Sequence, residues 1–213
     1  MTEPVKLEAS KQAEEGGFAE TVKVIVQALL IALVVRTLLF QPFNIPSGSL
    51  IPTLLIGDYL FVSKYSYGYS RFSMPFSPNL FSGRIWGSEP KRGDVAVFKL
   101  PRDGSTDYIK RVIGLPGDKI QMLQGRLFIN GQVVEREPVQ KITTTDPYGR
   151  QVPVATYKET LPGGVSHLII ERDGDTGFYD STGVYEVPAG HYFMMGDNRD
   201  NSTDSRVPPE QGG

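Results

Sequence analysis

The chain carries few of the side chains that hydrolytic chemistry uses. It has no cysteine and only two histidines, His167 and His191, which excludes a thiolate nucleophile and every thiolate-ligated metal site. Both histidines sit in strand-like runs, and there is no Gly-x-Ser-x-Gly elbow for either to serve. His-Glu-x-x-His is also absent, so a zinc peptidase of that type is ruled out. The run Gly196-Asp197-Asn198-Arg199-Asp200-Asn201-Ser202-Thr203-Asp204 has the carboxylates of a calcium loop. Arg199 stands in a ligand position, however, and the loop glycine and closing glutamate are missing, so a solvated or salt-bridged turn is the better reading. Serine with lysine remains. Ser88 and Lys91 have Ser-x-x-Lys spacing, but Pro90 breaks the helical turn that would join them. A second candidate is Ile45-Pro46-Ser47-Gly48-Ser49-Leu50-Ile51-Pro52-Thr53-Leu54, a polar elbow framed by prolines, where Gly48 permits close backbone approach and two hydroxyls flank it. On residue types alone this segment is either an ordinary linker or a turn that presents a nucleophile.

Such a turn needs a scaffold, and the composition describes one. With 213 residues, 39% hydrophobic and 22% charged, the chain is globular rather than disordered, collagen-like or polytopic. Its net charge of −2 argues against nucleic-acid binding, which needs a basic footprint. Residues 1–20 mix glutamates with Lys6 and Lys11 around Gly16-Gly17, and read as a solvated tail. Residues 21–40, TVKVIVQALLIALVVRTLLF, are apolar all round, and a helix of that length at ~1.5 Å rise per residue spans ~30 Å, one hydrocarbon core. Arg36 lies where a long side chain can snorkel, and Gln41-Pro42 stops the helix. The segment lacks the basic flank and small-residue cleavage site of a removable leader, so it is expected to be a retained anchor. Lys6, Lys11 and Lys23 precede it, against Arg36 alone before Lys64, which places the N-terminus in the cytoplasm.

Residues 41–213 then form an exported, mainly β domain. Short β-branched and aromatic runs recur at 59–62, 95–100, 108–113, 126–129, 133–134, 154–158, 167–171, 185–187 and 191–195, with Asn130-Gly131 as a hairpin turn. No second long helical period interrupts them, so an all-β, barrel-like or coiled-sheet domain is expected. Residues 65–89 read as a long surface loop and 138–153 as an insertion.

Residues 45–54, followed by Gly57-Asp58, closely resemble the serine box of type I signal peptidases, membrane-bound serine endopeptidases that remove leader peptides from exported proteins. Three more stretches match in the same order. Arg92-Gly93-Asp94-Val95-Ala96-Val97-Phe98 is similar to a family strand box, and residues 107–118, DYIKRVIGLPGD, to the lysine box; residues 196–206, GDNRDNSTDSR, are similar to the terminal box. The resemblance implies a Ser/Lys dyad, with Ser49 as nucleophile and Lys110 as general base, and Ser47 with the Ser49 N–H forming the oxyanion hole. It implies that Ser202 orients Lys110, that Asp204 and Arg206 brace the site, and that Ile45, Pro46, Leu50, Leu54, Tyr108 and Ile109 line shallow apolar pockets. Leu50 stands where the family often has Met, a volume-conserving change. Cleavage after Ala-X-Ala, no metal or organic cofactor, and a place in the bacterial cytoplasmic membrane with the catalytic domain outside are implied as well. The implied partners are secretory preproteins, the bilayer and the nearby export machinery. After Ser205-Arg206 the sequence reads VPPEQGG, where the family usually continues through another strand; a shortened chain is expected, with an inactive membrane-tethered peptide-binding or scaffold domain as the alternative.

An exposed lysine with a pKa of ~10.4 is only about 0.4% neutral near pH ~8. Lys110 can therefore serve as a base only if apolar enclosure lowers that value. Arg111, next along the strand, points to the other face and is expected to carry the solvent-facing charge.

Overall fold

The computed structural model describes residues 5–145 and 148–213, with side chains from Gly17 onward. The chain divides into two units, one of the residues up to Pro42 with Phe61–Ser88, the other of Phe43–Leu60 with Glu89–Gly213.

In the first unit, helix α1 (Val5–Val34) continues into a π-helical turn, Val35–Leu39. Its described side chains are exposed almost throughout, as an apolar-all-round sequence requires when no protein surface covers it. Gly17–Leu39 is long and apolar enough to cross a membrane by length and composition. The polar stretch expected to be a tail is helical from Val5, and residues 1–4 lie outside the described residues. Phe40 is already extended at φ −137°, two residues before Pro42. Residues 65–89 form the expected long loop, with a 3-10 turn at Arg71–Ser73 and a single bridge, Tyr69 to Ile85. Gly68 in that loop has φ +75°, and a side chain there would collide with the Ile85 and Trp86 carbonyls, so only glycine lets the strands of the loop close this tightly.

The second unit holds most of the sheet. Strands β1 (Phe40–Asn44) and β2 (Tyr59–Ser63) pair with each other, with residues in both units. β3 (Val95–Lys99) and β13 (Phe193–Met195) flank β4 (Asp107–Gly114), with Ala96 opposite Lys110 and both Val95 and Met195 opposite Arg111. β5 (Lys119–Leu123), β6 (Arg126–Ile129), β7 (Gln132–Val133) and β12 (Tyr185–Glu186) form a second ladder. β8 (Glu135–Pro138), β9 (Ile142–Thr145), β10 (Gln151–Thr160) and β11 (Ser166–Glu171) form a third. The fold is thus mainly β with one apolar helix, as expected, and of the barrel-like and coiled-sheet arrangements the sheets fit the second, since among the described residues none closes on itself. The expected insertion at 138–153 is a pairing of β9 with the first part of β10, with Val152 opposite Thr144. Its β-branched residues were hidden by the prolines around them, and Pro153 is tolerated because that part of β10 has β9 as its one partner. Residues 191–192, expected at the start of the last strand, precede β13.

The main core gathers Ile113 from β4, Ile120 and Met122 from β5, Leu127 and Ile129 from β6, and Phe193 and Met195 from β13. A smaller cluster of Ile45, Leu50 and Ile109 lies under the serine-bearing turn, with Phe43, Leu54, Leu60, Val95 and Val97 packed against it. β11 offers a test of the strand alternation, because Ile169 is 0% exposed and its neighbour Leu168 is 40% exposed. Ile169→Ala should cost about 2–5 kcal/mol in thermal unfolding and Leu168→Ala under about 1 kcal/mol; equal losses would mean that this register is wrong.

Candidate active site

The turn at 45–54 is held from both of its ends. Ile45 donates its N–H to the Asp58 carbonyl at 2.9 Å, and Gly57 donates to the Ile45 carbonyl at 2.9 Å. Within the turn, Ile51 N–H reaches the Gly48 carbonyl at 3.2 Å and Leu54 N–H the Leu50 carbonyl at 3.0 Å. Leu50 points down into the small core with Ile45, which leaves Ser49 on the opposite side.

β4 brings Lys110 to that serine. Lys110 Nζ donates to Ser49 Oγ at 2.7 Å, and both residues are only 5% exposed. The Ser47 hydroxyl lies 3.5 Å from Ser49 Oγ and is itself exposed. The Tyr108 ring lies 5.2 Å from Lys110 Nζ, and the Tyr108 hydroxyl bonds to the Gly212 carbonyl at 3.1 Å. Among the described residues no carboxylate forms an ion pair with Lys110. Burial accordingly pulls its pKa below the ordinary 10.5, with Asp204 and Asp197 opposing the change and Arg206 reinforcing it.

Arg111 departs from expectation. It is buried rather than solvent-facing, because β4 is covered on both faces. Its guanidinium forks onto Asp197 with bonds of 2.8 and 2.7 Å and also donates to the Gly93 carbonyl at 2.8 Å and to Thr53 Oγ1 at 3.3 Å. Thr53 in turn donates to Asp197, so the pair ties the end of the serine turn to the terminal box.

The acidic run is therefore a buried, salt-bridged turn rather than a solvated one. Asn198 grips the serine turn twice, its backbone N–H to the Ser49 carbonyl at 3.0 Å and its side-chain amide to the Gly48 carbonyl at 2.9 Å. Arg199 forks onto Glu159 at 3.0 and 2.5 Å, and Arg206 forks onto Asp204 at 2.9 Å through each of two nitrogens. Burial alone would raise the Asp204 carboxyl, but Arg206 and the Gly196 N–H hold it below the usual range. Ser202 is buried beside this pair. Its hydroxyl helps keep Asp204 ionised but makes no bond of good geometry, and no Ser202–Lys110 bond is present among the described residues. At Gly196 any side chain would collide with Ser202 Oγ and the Ser49 carbonyl, so close packing excludes everything larger than glycine.

Of the residues expected to line apolar pockets, Ile45, Leu50 and Ile109 are buried in the small core, Leu54 and Tyr108 are half-buried, and Pro46 is exposed. Neither histidine serves the serine. His167 is buried 3.4 Å from Glu159, and burial lowers its pKa to about 4 despite the pull of Glu159 and Asp197, which leaves it neutral at neutral pH. The His191 ring contacts its own turn, at the Ala189 carbonyl. Asn198, Gly196, Thr53 and the Arg111–Asp197 pair were not singled out from sequence, although three of these five residues lie in the terminal box and Arg111 next to Lys110.

The signal peptidase, peptidase S26 family model matches residues 18–211. Signal peptidase I of Rickettsia typhi is 45% identical over 190 residues, 84% of this chain and 69% of that protein. Signal peptidase I of Rickettsia conorii is 42% identical over 216 residues, 97% of this chain and 77% of that protein. A crystal structure of a signal peptidase I from Enterococcus faecalis is 26% identical and covers 56% of this chain and 86% of its own, with a TM-score of 0.30. The family match and the identities to the two Rickettsia proteins, extending over most of the chain, place it in the signal peptidase family, peptidase S26.

Proposed function

We propose that this chain removes signal peptides from exported preproteins with Ser49 as nucleophile and Lys110 as general base. One observation carries the reading: a lysine amine lies 2.7 Å from a serine hydroxyl, both are buried, and no carboxylate pairs with the amine among the described residues. Neutral Lys110 would take the Ser49 proton as the hydroxyl attacks the scissile carbonyl, and the resulting ammonium would protonate the leaving amine. The same base would then activate water against the acyl-enzyme. Ser47 and the Ser49 N–H would stabilise the tetrahedral oxyanion, with Ser47 free to turn toward it from its exposed position. Asp204 and Arg206 would hold the backbone behind Lys110, with Ser202 between. Leu54, Tyr108 and Pro46 offer the accessible apolar surface for small side chains before the cut, above a floor of Ile45, Leu50 and Ile109, and this suits Ala-X-Ala. The apolar helix would hold the second unit beside the outer face of the bacterial cytoplasmic membrane, with the N-terminus inside.

In detergent-solubilised protein, Ser49→Ala and Lys110→Met should each lower kcat/KM on a preprotein by at least ~10³-fold. Retained cleavage by either variant ends the dyad reading. Gly196→Ala, which keeps both reactive groups, should lower kcat by at least ~10-fold through displacement of the Ser49 backbone; wild-type turnover would show that the close packing is unimportant.

The base must be neutral, so kcat/KM should rise as pH rises through the lowered Lys110 pKa and level off above it, well below the ordinary 10.5. The stability effect has the same origin. Between the two pKa values the unfolded chain binds the extra proton, so wild-type stability rises with pH in that window and carries the full burial penalty below it. Lys110→Met should therefore unfold at a higher temperature than wild type at acid and neutral pH, with the gap closing towards pH 10.5. An activity limb at or above pH 10.5, or a stability gap that does not change with pH, would contradict the reading.

A further inference from the structure

Away from Ser49, three carboxylates gather that the proposed chemistry does not use. Glu171 ends β11, Asp180 lies in the following loop, and Asp200 lies in the 3-10 turn Arg199–Asn201, with one oxygen of each within 4.8 Å of the others. Two of them are sealed: Glu171 is 1% and Asp180 2% exposed, and among the described residues both Glu171 oxygens and Asp180 Oδ1 have no hydrogen-bond partner. Buried carboxylate oxygens are rarely left this way unless something neutralises them.

The surrounding cations are committed elsewhere. Arg136 Nη2 is shared between the two Asp175 oxygens at 2.9 and 3.1 Å, and Nη1, which donates to the Gly125 carbonyl, makes only a loose ion pair of 3.7 Å with Glu171. Arg199 is held by Glu159 and Arg206 by Asp204. Backbone donors occupy only the other oxygens: Gly177 N–H bonds to Asp180 Oδ2 at 2.6 Å, and the Arg172 and Asp173 N–H groups to Asp200 Oδ2 at 2.6 and 2.9 Å. A side chain at Gly177 would collide with Asp200 Oδ1 and crowd Asp180 Oδ2, so this glycine keeps the space between the carboxylates clear.

We propose that Glu171, Asp180 and Asp200 form a structural binding site for a hard divalent cation of the Ca²⁺ type. The donors are all oxygen, with neither imidazole nor thiolate, which selects against zinc and the softer metals. Ca²⁺ holds oxygens at ~2.3–2.6 Å in flexible geometry, so ligands on opposite sides of it lie up to ~5 Å apart, whereas Mg²⁺ demands near-ideal octahedral geometry at ~2.0–2.1 Å, tighter than this spacing. The ion would join the end of β11 and the loop after it to the turn of the terminal box, immediately beyond the Asn198 that grips the serine turn. It takes no part in the peptidase step.

The test uses the whole chain in detergent, treated with EDTA and then exchanged into chelator-free buffer. Millimolar Ca²⁺ should raise the unfolding midpoint by about 5 °C or more, Mg²⁺ should raise it less, and bound Tb³⁺ should show luminescence sensitised by Tyr179, next to Asp180. Asp180→Asn should lose both signals, and Asp200→Asn, at the more accessible ligand, should weaken both if Asp180→Asn does not fold. A wild-type midpoint and Tb³⁺ emission indifferent to these ions would show that protons alone neutralise the cluster and overturn the proposal. A Ca²⁺ shift of the same size in the variants would place the ion elsewhere and overturn it too.

Discussion

Strand β4 buries two basic side chains next to each other, and among the described residues a carboxylate pairs with only one of them. Arg111 is held by both oxygens of Asp197, while the adjacent Lys110 has a serine hydroxyl and the Tyr108 ring for company. The difference is consistent with the chemistry of the carboxylates nearby. Asp197, Asp204 and Glu159 are each occupied by an arginine fork, and a bidentate guanidinium holds a carboxylate in one orientation more firmly than an ammonium can. A carboxylate freed to turn towards Lys110 would restore the charge that burial disfavours. The arginines of the terminal box thus matter to the lysine through the anions they keep away from it.

That arrangement explains which parts of the site were legible. Ser49 and Lys110 belong to short motifs whose order along the chain is distinctive, so a resemblance was enough to pair them. Arg111 was misjudged because alternation along a strand separates its two faces without saying whether either meets water. Here the second face is covered by Asp197 and Thr53, both far from β4 in sequence, and a guanidinium can be buried where its partner is bidentate. Ser202 shows the converse: its place in the box was right, but a box does not record where a hydroxyl points.

The fold was read best where local pattern and tertiary need agree. β4, β6 and β11 were recognisable because β-branched and apolar residues run between clear turn signals. β1, β5, β8 and β9 were missed; β1 lies directly behind the apolar helix, and Pro138 ends β8 while Pro147 and Pro153 punctuate the neighbourhood of β9. Between a barrel-like and a coiled-sheet arrangement the pattern left the choice open. Strand patterning reports that residues pair, not with which partner, and closure depends on the partner.

The serine turn cannot supply its own geometry. Besides the long Ser47–Ser49 hydroxyl contact, its internal bonds are two backbone contacts, while the shorter bonds that orient Ser49 come from distant residues, Lys110 across 61 positions and Asn198 to Gly48 across 150. Closing loops of that length is entropically costly, although each doubling adds only ~0.6 kcal/mol. The lysine contact and the Asn198 grip therefore reinforce each other: both require the serine turn to sit on the Ile45–Leu50–Ile109 core, and that core includes a residue of β4 itself. A Ser49–Lys110 contact that forms only with the folded sheet also has its amine desolvated by that same folding. The proposed nucleophile and the environment that would activate it consequently appear together.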